Sequence, residues 1–144
     1  MPISSSKPPT SADGAMNIAT SALRAQQSRM RVIAENIANS DSTSTVAGGD
    51  PYRRQIPVFE PKRIDGNLTG VMMTEVTPDM RPFGQEYAPG NPAADARGYV
   101  KTPNVDALTE ALDMRAAQRA YEANLSVIET ARSMQSRTLD ILKK

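Results

Sequence analysis

The chain of 144 residues carries 17 basic and 16 acidic side chains, a net charge of +1, and 39% hydrophobic residues of which few are aromatic. It has no Cys, no His and no Trp, which excludes thiol nucleophiles, disulfides, Ser-His-Asp relays and zinc sites built from Cys and His. The near-neutral balance argues against a dedicated nucleic-acid or other polyanion binder, and the shortage of rings, each worth roughly 150–250 Å² of buried area, argues against a large compact core.

Proline and glycine divide the chain into four parts. Residues 1–13 are rich in Ser, Pro and Thr and read as a flexible tail. They lack the apolar core of about 7–15 residues that a Sec-type signal needs. No apolar run in the chain approaches the roughly 18–20 residues of a membrane span. Residues 14–40 hold no Pro and no Gly after Gly14, residues 41–103 gather eight of the eleven prolines and most glycines, and residues 104–144 hold neither. The pattern predicts a helix, an irregular middle and a second helix.

In the first helix, Met16, Ala19, Leu23, Gln26, Met30, Ile33 and Ile37 alternate spacings of three and four. This is a heptad seam with one polar interruption. Asp13 is the expected N-cap, and Asn39 the expected left-handed C-terminal residue.

In the middle, Ile56–Phe59 and Val71–Val76 read as two short strands of a hairpin that turns near Asp65-Gly66. Pro57 argues for an edge position. From Thr77 to Pro103 the chain is punctuated by proline and is expected to be extended.

The second helix is expected over residues 104–144, with Thr102 or Asn104 as cap and Pro103 in the first turn. Ala111, Met114, Gln118, Tyr121, Leu125, Ile128, Arg132, Gln135, Leu139 and Leu142 again alternate three and four. Asp106, Glu110 and Asp113 near its start and Lys143 and Lys144 at its end oppose the helix dipole favourably. The predicted fold is mainly α: two long terminal helices forming one discontinuous, coiled-coil-like layer, with a small irregular or hairpin segment between them.

Each seam must be buried. Pairing the helices within one chain leaves about 20 residues of the longer one unmatched at ~1.5 Å per residue. Gln26, Gln118, Arg132 and Gln135 weaken an isolated pair further. The monomer is therefore predicted to be marginal, with its terminal helices partly unfolded until neighbouring subunits cover them. A heterologous contact that does not close on itself builds a helical filament.

Four segments carry a family resemblance. Ile33-Ala34-Glu35-Asn36-Ile37-Ala38-Asn39, followed by a turn with Thr43 or Thr45, resembles the N-terminal signature of the flagellar rod and hook proteins. Gly48-Gly49-Asp50-Pro51-Tyr52-Arg53-Arg54 and the stretch from Tyr87 to Val105, which includes Tyr99, Pro103 and Asn104, resemble segments of the proximal-rod members of that family. Arg119-Ala120-Tyr121-Glu122-Ala123-Asn124 resembles a run in their C-terminal helix. Together the matches cover nearly everything from Met16, which corresponds to the family's usual start; Asn91 stands where many members carry His.

The resemblance implies a structural subunit of the basal-body rod, without cofactor or metal, exported by the flagellar type III apparatus with no cleaved signal. It implies assembly in the periplasmic space with copies of itself and other rod proteins, transmission of motor torque to the hook, and no insertion into the membrane. On that reading the assembly interface comprises Met16, Ala19, Leu23, Met30, Ile33, Ile37, Met114, Tyr121, Leu125, Ile128, Leu139 and Leu142. Asn36, Asn39, Tyr52, Arg53, Arg54, Tyr99, Pro103, Asn104, Tyr121, Glu122 and Asn124 are its motif residues.

Plainer readings compete. Asn36 and Asn39 can be ordinary helix caps, and Arg53 and Arg54 a solvated pair beside a strand. Arg24, Arg29 and Arg31 raise a membrane-surface helix, but its apolar face has no aromatic residue. Glycosidase chemistry needs two carboxylates flanking a bond, and nothing gathers Glu60, Glu75, Glu86 or Asp95 into a pocket. Another rod or hook subunit, or a soluble coiled-coil adaptor, would share the helical seams.

Overall fold

The computed structural model describes residues 11–143. It contains α1 (Ser11–Ala38), β1 (Gln55–Asp65), β2 (Leu68–Pro78), β3 (Gly84–Tyr87), β4 (Tyr99–Thr102) and α2 (Ala107–Leu142). Two long helices thus enclose two small antiparallel ribbons, β1–β2 and β3–β4.

Both helix starts differ from expectation. The helix α1 begins at Ser11, so residues 11–13 of the expected tail are helical and residues 1–10 lie outside the described residues. Asp13 sits in the first turn of α1, where a carboxylate suits the dipole, instead of capping it. The cap of α2 is Asp106, not Thr102 or Asn104. One Asp106 oxygen accepts from the Leu108 amide at 3.1 Å and the other from the Thr109 hydroxyl at 2.7 Å. Asn104 is engaged elsewhere, and residues 103–106 are therefore kept out of the helix. At the end of α1 no residue other than glycine has positive φ. Asn39 closes the helix through its side chain, which donates to the Glu35 carbonyl at 2.8 Å.

The helices pack antiparallel. Asp13 accepts a hydrogen bond from Gln135 at one end, Arg29 lies 3.9 Å from Asp113, and Asn36 donates to Glu110 at 3.3 Å at the other end. Ser11 and Ala12 lie beside Leu139 and Leu142. The two ends are level to within about a turn, and the expected unmatched stretch of α2 does not exist.

On α1, the predicted seam residues Ala19 and Ile33 are buried and Met16, Leu23, Gln26, Met30 and Ile37 are half-buried. On α2 the seam runs through Glu110, Met114, Ala117, Tyr121, Asn124, Ile128, Ala131 and Gln135. Every second predicted position is therefore displaced by one residue. Ala111, Gln118, Leu125 and Arg132 are exposed, and Glu110, Ala117, Asn124 and Ala131 take their place. At Ala117 and Ala131 the physical reason is size, because α1 already brings Met and Leu to the seam and facing alanines let the backbones approach; Glu110 turns inward to bond Asn36 and Arg54.

The other face of α1 carries the β1–β2 ribbon. The two strands are each eleven residues long, well beyond the short strands expected, with bulges at Val58/Phe59 and Arg63/Asp65. They turn at Gly66-Asn67, where Gly66 has φ of 50°, the glycine-first pattern of a tight hairpin. In a two-stranded ribbon every strand is an edge, which is why Pro57 and Pro61 are tolerated. The ribbon lies close to the helix because the facing residues are small. The Ser21 hydroxyl accepts from the Val71 amide at 3.2 Å, and a Cβ on Gly70 would stand 2.5 Å from Ile64 Cδ1 and 2.3 Å from Ser21 Oγ.

The proline-punctuated segment is more ordered than expected. Strands β3 and β4 pair from Gly84↔Thr102 to Tyr87↔Tyr99. Between them, Asp95 accepts from the amides of Arg97 and Tyr99 at 2.9 and 3.0 Å, and Gly98 has φ of 85°. Tyr87 and Tyr99 meet edge to face at 5.3 Å.

Candidate assembly site

Four separate pieces of chain converge where α1 ends and α2 begins. Asn36, in the last turns of α1, is 1% exposed and makes no helix cap. Its Oδ1 accepts from the Tyr52 hydroxyl at 2.8 Å and from the Gln55 amide at 2.9 Å. Its Nδ2 donates to the Gln55 carbonyl at 2.9 Å and to Glu110 Oε2. Three hydrogen bonds to Tyr52 and Gln55 mean that Asn36 acts as a bracket for the backbone entering β1.

Arg54 occupies the centre. Its Nε donates to Glu110 Oε1 and its Nη1 to Asp79 Oδ2 at 3.3 Å. Its backbone amide donates to Asn104 Oδ1 at 2.8 Å, and its carbonyl accepts from the Asp79 amide at 2.8 Å. Burial opposes the Arg54 charge, but the hydrogen bond to Glu110 and its negative charge outweigh that and raise the guanidinium pKa. The solvated reading of this arginine is overturned: its side chain is 18% exposed, between two carboxylates.

The outer shell closes the arrangement. Asn104 Nδ2 donates to the carbonyls of Asp79 and Arg81 at 2.9 and 3.0 Å. Arg53 Nη1 donates to the same two carbonyls at 2.8 and 3.1 Å, and its guanidinium lies 4.1 Å above the centre of the Phe83 ring. Arg81 folds back onto Asp79 at 2.6 Å. That hydrogen bond, reinforced by Arg54, holds the Asp79 carboxyl down to about 2 against the opposing effect of burial. Burial also pushes the Tyr52 hydroxyl up, with Glu35 and Glu110 nearby.

Five motif residues, Asn36, Tyr52, Arg53, Arg54 and Asn104, therefore meet in one buried polar knot. The others lie apart. Asn39 closes α1, Tyr99 pairs with Tyr87, and Pro103 is buried just before Asn104. Tyr121 and Asn124 lie on the α2 seam, and Glu122 is exposed. Sequence reasoning missed Asp79, Gln55 and the central role of Glu110. An acid in the first turn of a helix reads as dipole compensation, and only the excess of arginines in Pro51-Tyr52-Arg53-Arg54 hinted that buried acids were needed.

The knot is suited to holding geometry. Both carboxylates are already bound to arginine, and none of its groups is left free to move a proton. Glu60, Glu75 and Glu86 are exposed, and Asp95 is spent in the turn before β4. No helix among the described residues is long and apolar enough to cross a membrane.

The remaining candidate residues lie on the surface left by this packing. Leu125, Leu139 and Leu142 are exposed on α2, with Leu142 at 77%.

Two family models match the chain: one described as flagella basal body rod protein over residues 16–44, and one as flagellar basal body rod FlgEFG protein C-terminal over residues 96–141. The flagellar basal-body rod protein FlgC of Agrobacterium fabrum is 46% identical over 131 residues, covering 90% of this chain and 94% of the relative. The FlgC of Escherichia coli O6:H1 is 44% identical over 87% of this chain and 93% of its own. The FlgC of Bacillus subtilis is 35% identical over 89% and 96%. With that identity along nearly the whole of both chains, the chain belongs to the FlgC family of flagellar basal-body rod proteins, structural subunits and not enzymes.

Proposed function

We propose that this rod subunit belongs to the proximal part of the rod, in the periplasmic space, and that it joins copies of itself and other rod proteins through its terminal helices to pass motor torque to the hook. Export by the flagellar type III apparatus without a cleaved signal is part of the same reading. The observation that supports it is the state of α2. After burying one face on α1, the helix still exposes Leu108, Leu112, Leu125, Val127, Met134, Leu139, Ile141 and Leu142, six of them beyond 55% exposure or in its last turns. A monomer has no use for so much exposed apolar surface, whereas helix-to-helix packing in a coiled-coil-like layer would cover it. The knot gives the subunit the stiffness that torque transfer needs, because it ties both helices to the ribbons through charge-assisted hydrogen bonds.

The test is a gene deletion in the source bacterium, complemented by the wild-type chain. The expected result is loss of motility and of rods beyond the basal ring, restored by the gene. A deletion strain that still swims overturns the proposal.

A further inference from the structure

The β1–β2 ribbon has two edges, and bonds to α1 reveal which of its residues point out of the ladder. The Gln55 amide donates to Asn36 and its carbonyl accepts from Asn36, and the Val71 amide donates to Ser21. Gln55 and Val71 therefore turn their backbone polar groups outward. In an antiparallel pair the residue opposite an outward one also points outward, and outward positions recur at every second residue. Gln55 is opposite Pro78, and Val71 is opposite Pro61. Pro57 lies two residues from Gln55 with no register shift between them, opposite Val76. All three prolines of the ribbon thus stand outward, where a ring replaces the amide proton that a further strand would need.

The sequence beside these prolines is one to which strands add readily. Leu68–Val76 has a single charge and no proline, and Met72 and Val76 are each 39% exposed. On β1 the outward positions after Gln55 are Pro57, Phe59 and Pro61, and of these only Phe59 keeps an amide proton. A strand laid there meets three carbonyls and one donor. Pro57 is half-buried, and Pro61, Lys62 and Arg63 are exposed, so charge follows the prolines towards the tip. On β2 the Val71 amide is taken by Ser21 and Pro78 has none. Thr74 has no opposite residue, and the bulge it makes breaks the even spacing from Val76 to Met73.

We infer that Pro57 and Pro61 close the β1 edge of the ribbon to strand addition, so that copies of this chain do not join sheet to sheet through it. An added strand would bring a new open edge with it, and such growth has no end point. The prolines leave the ladder within the ribbon intact, because their nitrogens face away from β2. The inference goes beyond the rod-subunit reading, since it concerns a contact that is refused, whatever covers α2.

The full-length chain is compared with P57V/P61V and P57K/P61K. Both variants restore the two amide protons, but lysine on an edge strand keeps further strands away by charge. Folding is checked by circular dichroism and the urea midpoint. Sheet association is read by thioflavin T fluorescence and sedimentation over a concentration series, and association that leaves thioflavin dark is not counted. P57V/P61V is expected to form thioflavin-positive, sedimenting material at roughly one-tenth of the concentration the natural chain needs, since two more hydrogen bonds per contact are worth about a factor of ten. P57K/P61K is expected to stay with the natural chain. No gain in the valine variant overturns the inference. An equal gain in both variants also overturns it, because the prolines would then act through the fold and not through the edge. Where a double variant does not fold, P61V and P61K, changed only at the exposed position, are read in the same way.

Discussion

Replacing Arg54 by methionine removes the one cation that bridges two buried carboxylates. Asp79 keeps Arg81 as a partner at 2.6 Å, so the damage falls on Glu110, which is 1% exposed and would keep only the 3.3 Å hydrogen bond from Asn36. Removing one partner of a buried pair typically costs about 3–5 kcal/mol. In a domain of this size that is a fall in Tm of roughly 10–15 °C, against a total stability of about 5–15 kcal/mol. Full-length chain is followed by circular dichroism during urea and thermal unfolding, with the double variant R54M/E110M beside it. The double variant is expected to recover most of the loss, since two apolar groups leave no charge without a partner. If R54M lies within about 1 kcal/mol of the natural chain, or if the double variant is no more stable than R54M, the knot is not held by this pair and the reasoning fails.

Three further outcomes follow from the same packing. Asp79 has a folded pKa of about 2 against an ordinary 3.8, so its stabilisation is complete above the unfolded value and is lost as pH falls through that window. A stability profile between about pH 5 and 2 should show a loss of up to about 2 kcal/mol that is absent in D79N; equal profiles refute it. Gly70→Val should destabilise by about 1–3 kcal/mol, because its Cβ has no room between α1 and Ile64, and an unchanged urea midpoint would show that the ribbon moves freely on the helix. In the dilute chain, amide exchange should be slowest around Asn36 and Glu110 and fast in the last turns of α2, where Ile141 and Leu142 are exposed. Uniform protection along α2 would show that the free subunit does not need its neighbours to order that end.

The two helices were legible because proline and glycine are absent from them and their apolar residues repeat at helical spacing. The hairpin turn at Asp65-Gly66 was legible for the complementary reason, glycine in a position that needs positive φ. The β3–β4 ribbon was not, because Gly84-Gln85-Glu86-Tyr87 has no alternation and pairs only because the turn around Asp95 returns Tyr99 to Tyr87. The knot was half legible. Asn36, Tyr52, Arg53, Arg54 and Asn104 stood out as motif residues, but their separations in sequence run to 68 positions between Asn36 and Asn104. No local rule states that they touch. Asp79 follows Pro78 at the end of β2, and the Pro-Asp pair looks like ordinary turn chemistry until Arg54 is placed beside it.

The one-residue displacement on α2 has a consequence of its own. A seam chosen from sequence follows an even alternation of three and four, and so takes Leu125 over Asn124 and the polar Gln118 over Ala117. The fold does the reverse. It turns Ala117, Asn124 and Ala131 towards α1 and leaves Leu112, Leu125, Val127, Met134, Leu139 and Ile141 outside. Small residues inside let two helices of one subunit lie close, where a polar knot at one end already fixes their register. Large residues outside would be a liability for a protein that stays alone. In a helix that must find further helices as neighbours, they are where most of the burial energy of about 25 cal/mol per Å² remains to be gained. On the proposed reading the apolar pattern of α2 serves two partners rather than one, and a single heptad register does not describe it.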